Sequence, residues 1–213
     1  DWSSDVCSSD LGIVAAGTGN DFAREIGLGP SDDPQIHAAR LLGTPRPVDV
    51  LAVSSSHDDC PNRRVATVAT CGFSVEVNEG AERMRFVRGS MRYTLATILQ
   101  STRMAPVQLD LAVDGTVTSH RAVLVAVANT RAFGGGMLIA PDADPGDGLA
   151  DVVVIGEVGR LELLRLLPTA FSGRHIQHPA VTVLRGARVE IMADIDRRIR
   201  GEDRKSTTSE LQS

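Results

Sequence analysis

Apolar and polar positions along this 213-residue chain fall into two textures. At the front, the run Leu11 to Ala16 reads as the end of a strand. Gly17-Thr18-Gly19 follows as a turn, and a helix begins near Phe22, with Asn20 and Asp21 placed to cap it. Pro34 to Leu42 predicts a short helix that stops at Gly43. After Pro45 and Pro47 the period shortens from helical to alternating. Val48–Ser54 and Val65–Thr70 read as strands separated by the polar loop Ser54 to Arg64. Met84, Val87, Met91, Leu95 and Ile98 recur at three and four, which predicts a helix over 81–99 interrupted at Gly89-Ser90. Val107–Val113 and Thr116–Ala128 flank Asp114-Gly115, a strong hairpin signal. Asp151–Ile155, Val181–Leu184 and Val189–Met192 are further strands, and Arg160 to Phe171 is an amphipathic helix limited by Pro168.

Many short strands with turn signals predict a sandwich-like or barrel-like domain. The expected architecture is a front α/β piece followed by a mainly-β domain, α+β overall. Hydrophobic residues make up 42% of the chain and aromatics 3%, so the core must be built from Val, Leu, Ala and Ile. No apolar run approaches the roughly 20 residues that cross a bilayer. The net charge of −5 argues against a nucleic-acid partner. Cys60 and Cys71 read as free thiols of a reducing cytoplasm. On the 81–99 segment, Arg85, Arg88 and Arg92 form a cationic strip beside the apolar one. That strip is either a solvated helix face or a surface that meets anionic lipid headgroups.

Two stretches carry the strongest chemical signals. Around Gly17, Thr18, Gly19, Asn20 and Asp21, glycines permit close approach of an anion, and free backbone N–H groups with a helix dipole attract phosphate. The same string also serves as an ordinary strand–turn–helix connection. The loop Asn129 to Gly148 holds five glycines, two prolines and three aspartates between two strands, and loops this long in compact domains are often functional. Asp144, Asp147 and their neighbours gather oxygen donors suited to a hard cation, although by spacing alone an Asp-Gly turn is the simpler meaning. His175 and His178 form a His-x-x-His pair without an evident third ligand and read as ordinary loop histidines.

Gly17-Thr-Gly-Asn-Asp-Phe-Ala-Arg24 resembles the nucleotide loop of the diacylglycerol kinase catalytic family, which includes bacterial lipid kinases and sphingosine kinases and is distantly related to NAD kinase. Arg46-Pro-Val-Asp-Val50 resembles the strand opening that family's second domain. Cys71-Gly-Phe-Ser-Val-Glu76, Asn129, Gly134-Gly135-Gly136, Ala140-Pro141, Asp147-Gly148-Leu149 and Gly173-Arg174-His175 match in order and spacing, so the likeness spans residues 11 to 202.

The resemblance implies a fold and a set of roles. Residues 11–47 would be the remnant of a Rossmann-like nucleotide domain, 48–195 a β-rich lipid-substrate domain, and 196–202 a segment returning to the active site. Gly17, Thr18, Gly19 and Asn20 would bind ATP. Asp21 would cap its helix, join the acidic network near the phosphates, or do both. A structural Mg²⁺ would be held by the Asp147 side chain and the backbone oxygens of Asp144 and Leu149. Glu202 matches the family's general base, but Arg200 stands where that family has Asp.

The activity implied is transfer of the ATP γ-phosphoryl group to the hydroxyl of diacylglycerol or a related lipid at the inner membrane surface, by a cytoplasmic peripheral protein, with homodimerisation left open. A kinase of NAD or of a sphingoid base, and a non-catalytic lipid-binding protein, are the alternatives. Residues 1–10 and 203–213 do not resemble the family and are set aside from the fold argument as foreign-looking ends, a genuine polar terminus being the other reading. The family's Gly-Gly-Asp-Gly-Thr loop is not found, so the expectation is a fragment with little kinase activity.

Overall fold

In a computed structural model, the structure describes residues 13, 15, 19–29, 34–44, 46–55, 63–71, 106–193 and 207–212. Two helices open it, α1 (Asp21–Glu25) and α2 (Pro34–Leu41). The strands are β1 (Leu51–Ser55), β2 (Arg63–Val65), β3 (Val68–Cys71), β4 (Val107–Val113), β5 (Thr116–Ala128), β6 (Ala150–Gly156), β7 (Val181–Gly186), β8 (Arg188–Ala193) and β9 (Thr207–Gln212). Helix α3 (Arg160–Ala170) and a 3-10 turn at Arg174–Gln177 lie between β6 and β7. All nine strands join one antiparallel network in the order β2-β1-β9-β8-β4-β5-β6-β7, with β3 paired to β5 off that path. The architecture is the expected one, mainly β with few helices.

Strand β5 organises the molecule. Its first half pairs with β4, with Thr116 opposite Val113. Its second half pairs with β6 and, from Val125 to Ala128, with β3. The change of partner coincides with a register shift between Ala122 and Leu124. Such an irregularity bends a strand and lets it serve two layers. Side chains on one face, Val125 and Val127 of β5 with Val152 and Val154 of β6, enter a core completed by Leu51, Leu109, Leu111, Val189 and Ile191. The alternate residues Ala126, Ala128 and Val153 lie under the long loop with Ile139, Ala140 and Ala143. Val123 and Ile155 take Leu166 of α3. With both faces covered, β6 reads as a continuous apolar run where a half-exposed strand would alternate.

The turns follow local chemistry. Asp114 and Gly115 both have positive φ, 47° and 82°, the backbone of a two-residue hairpin whose twist matches its strands. The stretch expected as one strand over 65–70 is divided into β2 and β3, because β2 pairs with β1 and β3 with β5. The tail set aside on sequence grounds takes part in the sheet: β9 runs between β1 and β8. The expected helix over 81–99 and most of the strand over 11–16 lie outside the described residues, as do Cys60 and residues 1–10.

Candidate nucleotide and cation loops

Three segments converge on the end of the sheet where β5 gives way to β6: α1, the Asp49 segment leading into β1, and the loop 129–149. The turn before α1 places Asn20 in a left-handed conformation at φ 47°. Asn20, at the N-cap, makes no side-chain cap hydrogen bond. Asp21 instead reaches across the fold. Its Oδ2 accepts the Gly135 amide at 2.6 Å, and its Oδ1 pairs with Arg24. One helical turn on, Glu25 Oε1 accepts from Arg131 Nε at 2.7 Å. The glycine turn is shaped by positive φ at Gly134, Gly135 and Gly136, and a Cβ on Gly136 would sit 3.7 Å from the Arg24 guanidinium. Among the described residues, a Cβ on Gly19 meets nothing within 4 Å. Gly17 and Thr18 lie outside the described residues.

The loop 129–149 is held at its start, middle and end. Fully buried Asn129 donates through Nδ2 to the carbonyls of Asp49 at 2.8 Å and Ala66 at 3.0 Å, while its own amide meets Thr67. The Asp49 amide donates to the Pro145 carbonyl at 2.8 Å, and the Asp49 carboxylate accepts the Gly148 amide at 2.7 Å. In the middle, buried His175 bonds the Ile139 carbonyl at 2.9 Å, which requires its proton on Nε2. Its Nδ1 has no partner among the described residues, and burial pushes its pKa down. Gly173, at φ 70°, abuts Pro141 so closely that a Cβ would lie 2.7 Å from the Pro141 Cγ. His178 works separately, pairing with Glu162 at 3.2 Å and accepting the Ala180 amide through Nδ1.

The acidic end of the loop is folded on itself. Asp144 Oδ1 accepts the Gly146 amide at 3.0 Å, and Asp147 Oδ1 accepts the Leu149 amide at 2.9 Å. Arg185 of β7 reaches in from the side. Its guanidinium meets the Asp151 carboxylate at 3.1 Å, the Asp142 carbonyl at 2.7 Å and Asp147 Oδ2 at 3.5 Å. Burial raises the Asp151 pKa; the Arg185 hydrogen bond and charge oppose that rise. No group of three or more His, Cys, Asp or Glu side chains able to hold a metal occurs among the described residues. Two of the three donors expected for Mg²⁺ are carbonyls, so that set is a one-carboxylate arrangement of hard oxygens, chemistry that suits such a cation. Glu202 lies outside the described residues. Cys71 is a structural thiol: burial pushes it up to about 12, and it donates weakly to the Val125 carbonyl.

Sequence reasoning missed Glu25, Arg131 and Arg185. Glu25 had a signal, since it lies one turn from Asp21 and shares its helix face. Arg185 becomes visible only once the register places it opposite Asp151.

Residues 67–206 match the YegS C-terminal NAD kinase beta sandwich-like domain, and residues 7–53 match the diacylglycerol kinase catalytic domain. The chain belongs to the YegS and diacylglycerol kinase family. Among family relatives, the diacylglycerol kinase of Mycobacterium tuberculosis (strain H37Rv) is 39% identical over 183 residues, covering 85% of this chain and 58% of the relative. The Bacillus subtilis (strain 168) diacylglycerol kinase is 25% identical over 182 residues, covering 85% of this chain and 58% of its own length. The chain thus spans a little under three-fifths of the length of these family members. A crystal structure described as a diacylglycerol kinase from Bacillus anthracis str. Sterne shares the fold at a TM-score of 0.59 and 19% identity, over 92% of this chain and 63% of that one.

Proposed function

We propose that this family member serves ATP-dependent phosphorylation of a lipid hydroxyl, with diacylglycerol or a close analogue as acceptor. The observation that carries the reading is the contact between Asp21 and the Gly135 amide at 2.6 Å. It brings the segment resembling a nucleotide loop against the glycine turn of the β domain, so a phosphate tail entering at Gly19 would meet both. Gly17, Thr18, Gly19 and Asn20 would supply backbone and side-chain donors to the phosphates. In phosphoryl transfer the protein contributes mainly positioning and charge stabilisation. Asp21, already held by Gly135 and Arg24, would act by fixing that geometry. Glu202 would accept the proton of the attacking lipid hydroxyl.

Mg²⁺, held through the Asp147 carboxylate and the carbonyls of Asp144 and Leu149, would brace the acidic loop by neutralising its charge. Among the described residues no helix is long and apolar enough to cross a membrane. Because the acceptor is a lipid, the reading has the protein work at the inner membrane surface as a peripheral visitor; a homodimer is compatible with it.

The test is incubation with radiolabelled ATP and Mg²⁺ against diacylglycerol in mixed micelles, a sphingoid base and NAD. Label in diacylglycerol supports the reading. Label in NAD alone, or calorimetry showing lipid uptake but no ATP binding, replaces it.

A further inference from the structure

We infer that Glu25 and Arg131 form a positioning latch that sets the Gly134–Gly136 turn against α1, and that nucleotide affinity depends on it. The nucleotide clause rests on the reading proposed above; the latch itself stands on geometry. The two partners are 106 residues apart in sequence and meet at 2.7 Å. Glu25 is 7% exposed at its side chain and Arg131 is 51% exposed. The pair is therefore asymmetric. Removing Arg131 leaves a nearly buried carboxylate without its counter-charge, and that costs far more than loss of a surface pair.

The latch acts on a specific neighbour. Asp21 and Glu25 lie one turn apart on the same face of α1, so holding Glu25 also holds Asp21 over Gly135. Gly135 lies in the turn closed by the Phe133–Met137 bridge, and Arg131, two residues before that bridge, is tied to its far side by the Ala140 amide donating to the Arg131 carbonyl at 3.2 Å. With Glu25 released, α1 can rock away, and the Gly135 amide loses its acceptor. The turn has three successive glycines at positive φ between the two ends of its closing bridge, so the outside contact from Asp21 adds to what fixes its position.

Amide hydrogen exchange on the nucleotide-free chain tests the latch. In Arg131→Met, the Gly135 amide exchanges at least about tenfold faster than in the wild type, a change of the size expected for coupled sites. The Val154 amide in the core keeps its protection, and Arg131→Lys restores most of the protection at Gly135. Unchanged exchange at Gly135 overturns the latch, and so does parallel loss at Gly135 and Val154, which reports general destabilisation. Calorimetry with ATP and Mg²⁺ supplies the second arm. About tenfold weaker binding in Arg131→Met, rescued by lysine, supports the positioning role, whereas equal binding overturns it. A wild type that binds no nucleotide while the exchange pattern holds supports the latch and overturns the nucleotide reading.

Discussion

Asn129 shows how one side chain can organise a loop. Its Nδ2 satisfies two backbone carbonyls, on Asp49 and Ala66, that come from distant parts of the chain. Asn129 itself is 0% exposed, and the two carbonyls it serves belong to half-buried residues. Leaving a buried acceptor without a donor costs about 1–3 kcal/mol. Asn129→Ala is therefore expected to lose roughly that much in urea denaturation, with an unchanged m-value. Asn129→Asp should lose more, because its charge would face the same two carbonyls. A loss below that of a typical surface substitution would show that water replaces the amide.

His175 adds a pH signature at the same scale. Burial lowers its pKa in the fold, so the unfolded chain takes up the proton first. Stability from this group is complete above the ordinary histidine pKa of about 6.5 and falls as pH drops through that value toward the folded pKa. Below the folded pKa the loss levels off. His175→Gln should flatten the denaturation midpoint between pH 7 and that lower limit. A mutant with the wild-type slope would assign the dependence to another group.

At the scale of elements, turns decide more than strand propensity does. Gly115 and Gly173 both have positive φ, 82° and 70°. A Cβ on Gly115 meets open space, while one on Gly173 runs into Pro141. Gly115→Ala should cost about 1 kcal/mol of backbone strain, and Gly173→Ala at least twice as much, because the clash adds to the strain. Thermal melts of the two variants check the ratio, and equal shifts would mean that the 129–149 loop yields. The hairpin at Asp114-Gly115 was legible because its chemistry is local. So was α3, whose apolar spacing predicts 160–171 against an observed Arg160–Ala170. The division between β2 and β3 was not legible. Val65 and Val68 look alike in sequence, and only their partners, β1 and β5, separate them. The same holds for β9, whose polar sequence carries little strand signal and is placed by the edges that β1 and β8 offer. In the candidate site, the glycine turns and the acidic loop were visible as composition. The ion pairs that join them, Glu25 with Arg131 and Asp151 with Arg185, cross tertiary contacts that no local spacing encodes.

For the whole molecule, the question is whether the segments matched by the two family descriptions behave as one body. Leu51 decides it. It belongs to the 7–53 match, yet it is 0% exposed and sits in the core with Leu109, Leu111, Val125, Val152 and Val189. Asp49, two residues earlier, is bonded to Asn129, Pro145 and Gly148 at the far end of the β domain. The end of the 7–53 match is thus packed into the β domain's core as well as joined to its loops. A core truncation such as Leu51→Ala typically costs 2–5 kcal/mol, a large share of the roughly 5–15 kcal/mol that holds a domain together. If the two segments unfold together, Leu51→Ala should lower the urea midpoint equally by backbone circular dichroism and by proteolysis within the 129–149 loop. Coincident curves for the wild type would support the same picture. A variant in which the front of the chain is cleaved first, while Val152 to Val154 stay protected from exchange, would show two separable units. The contact between α1 and the glycine turn would then be a docking equilibrium, and nucleotide affinity would have to include the cost of closing it.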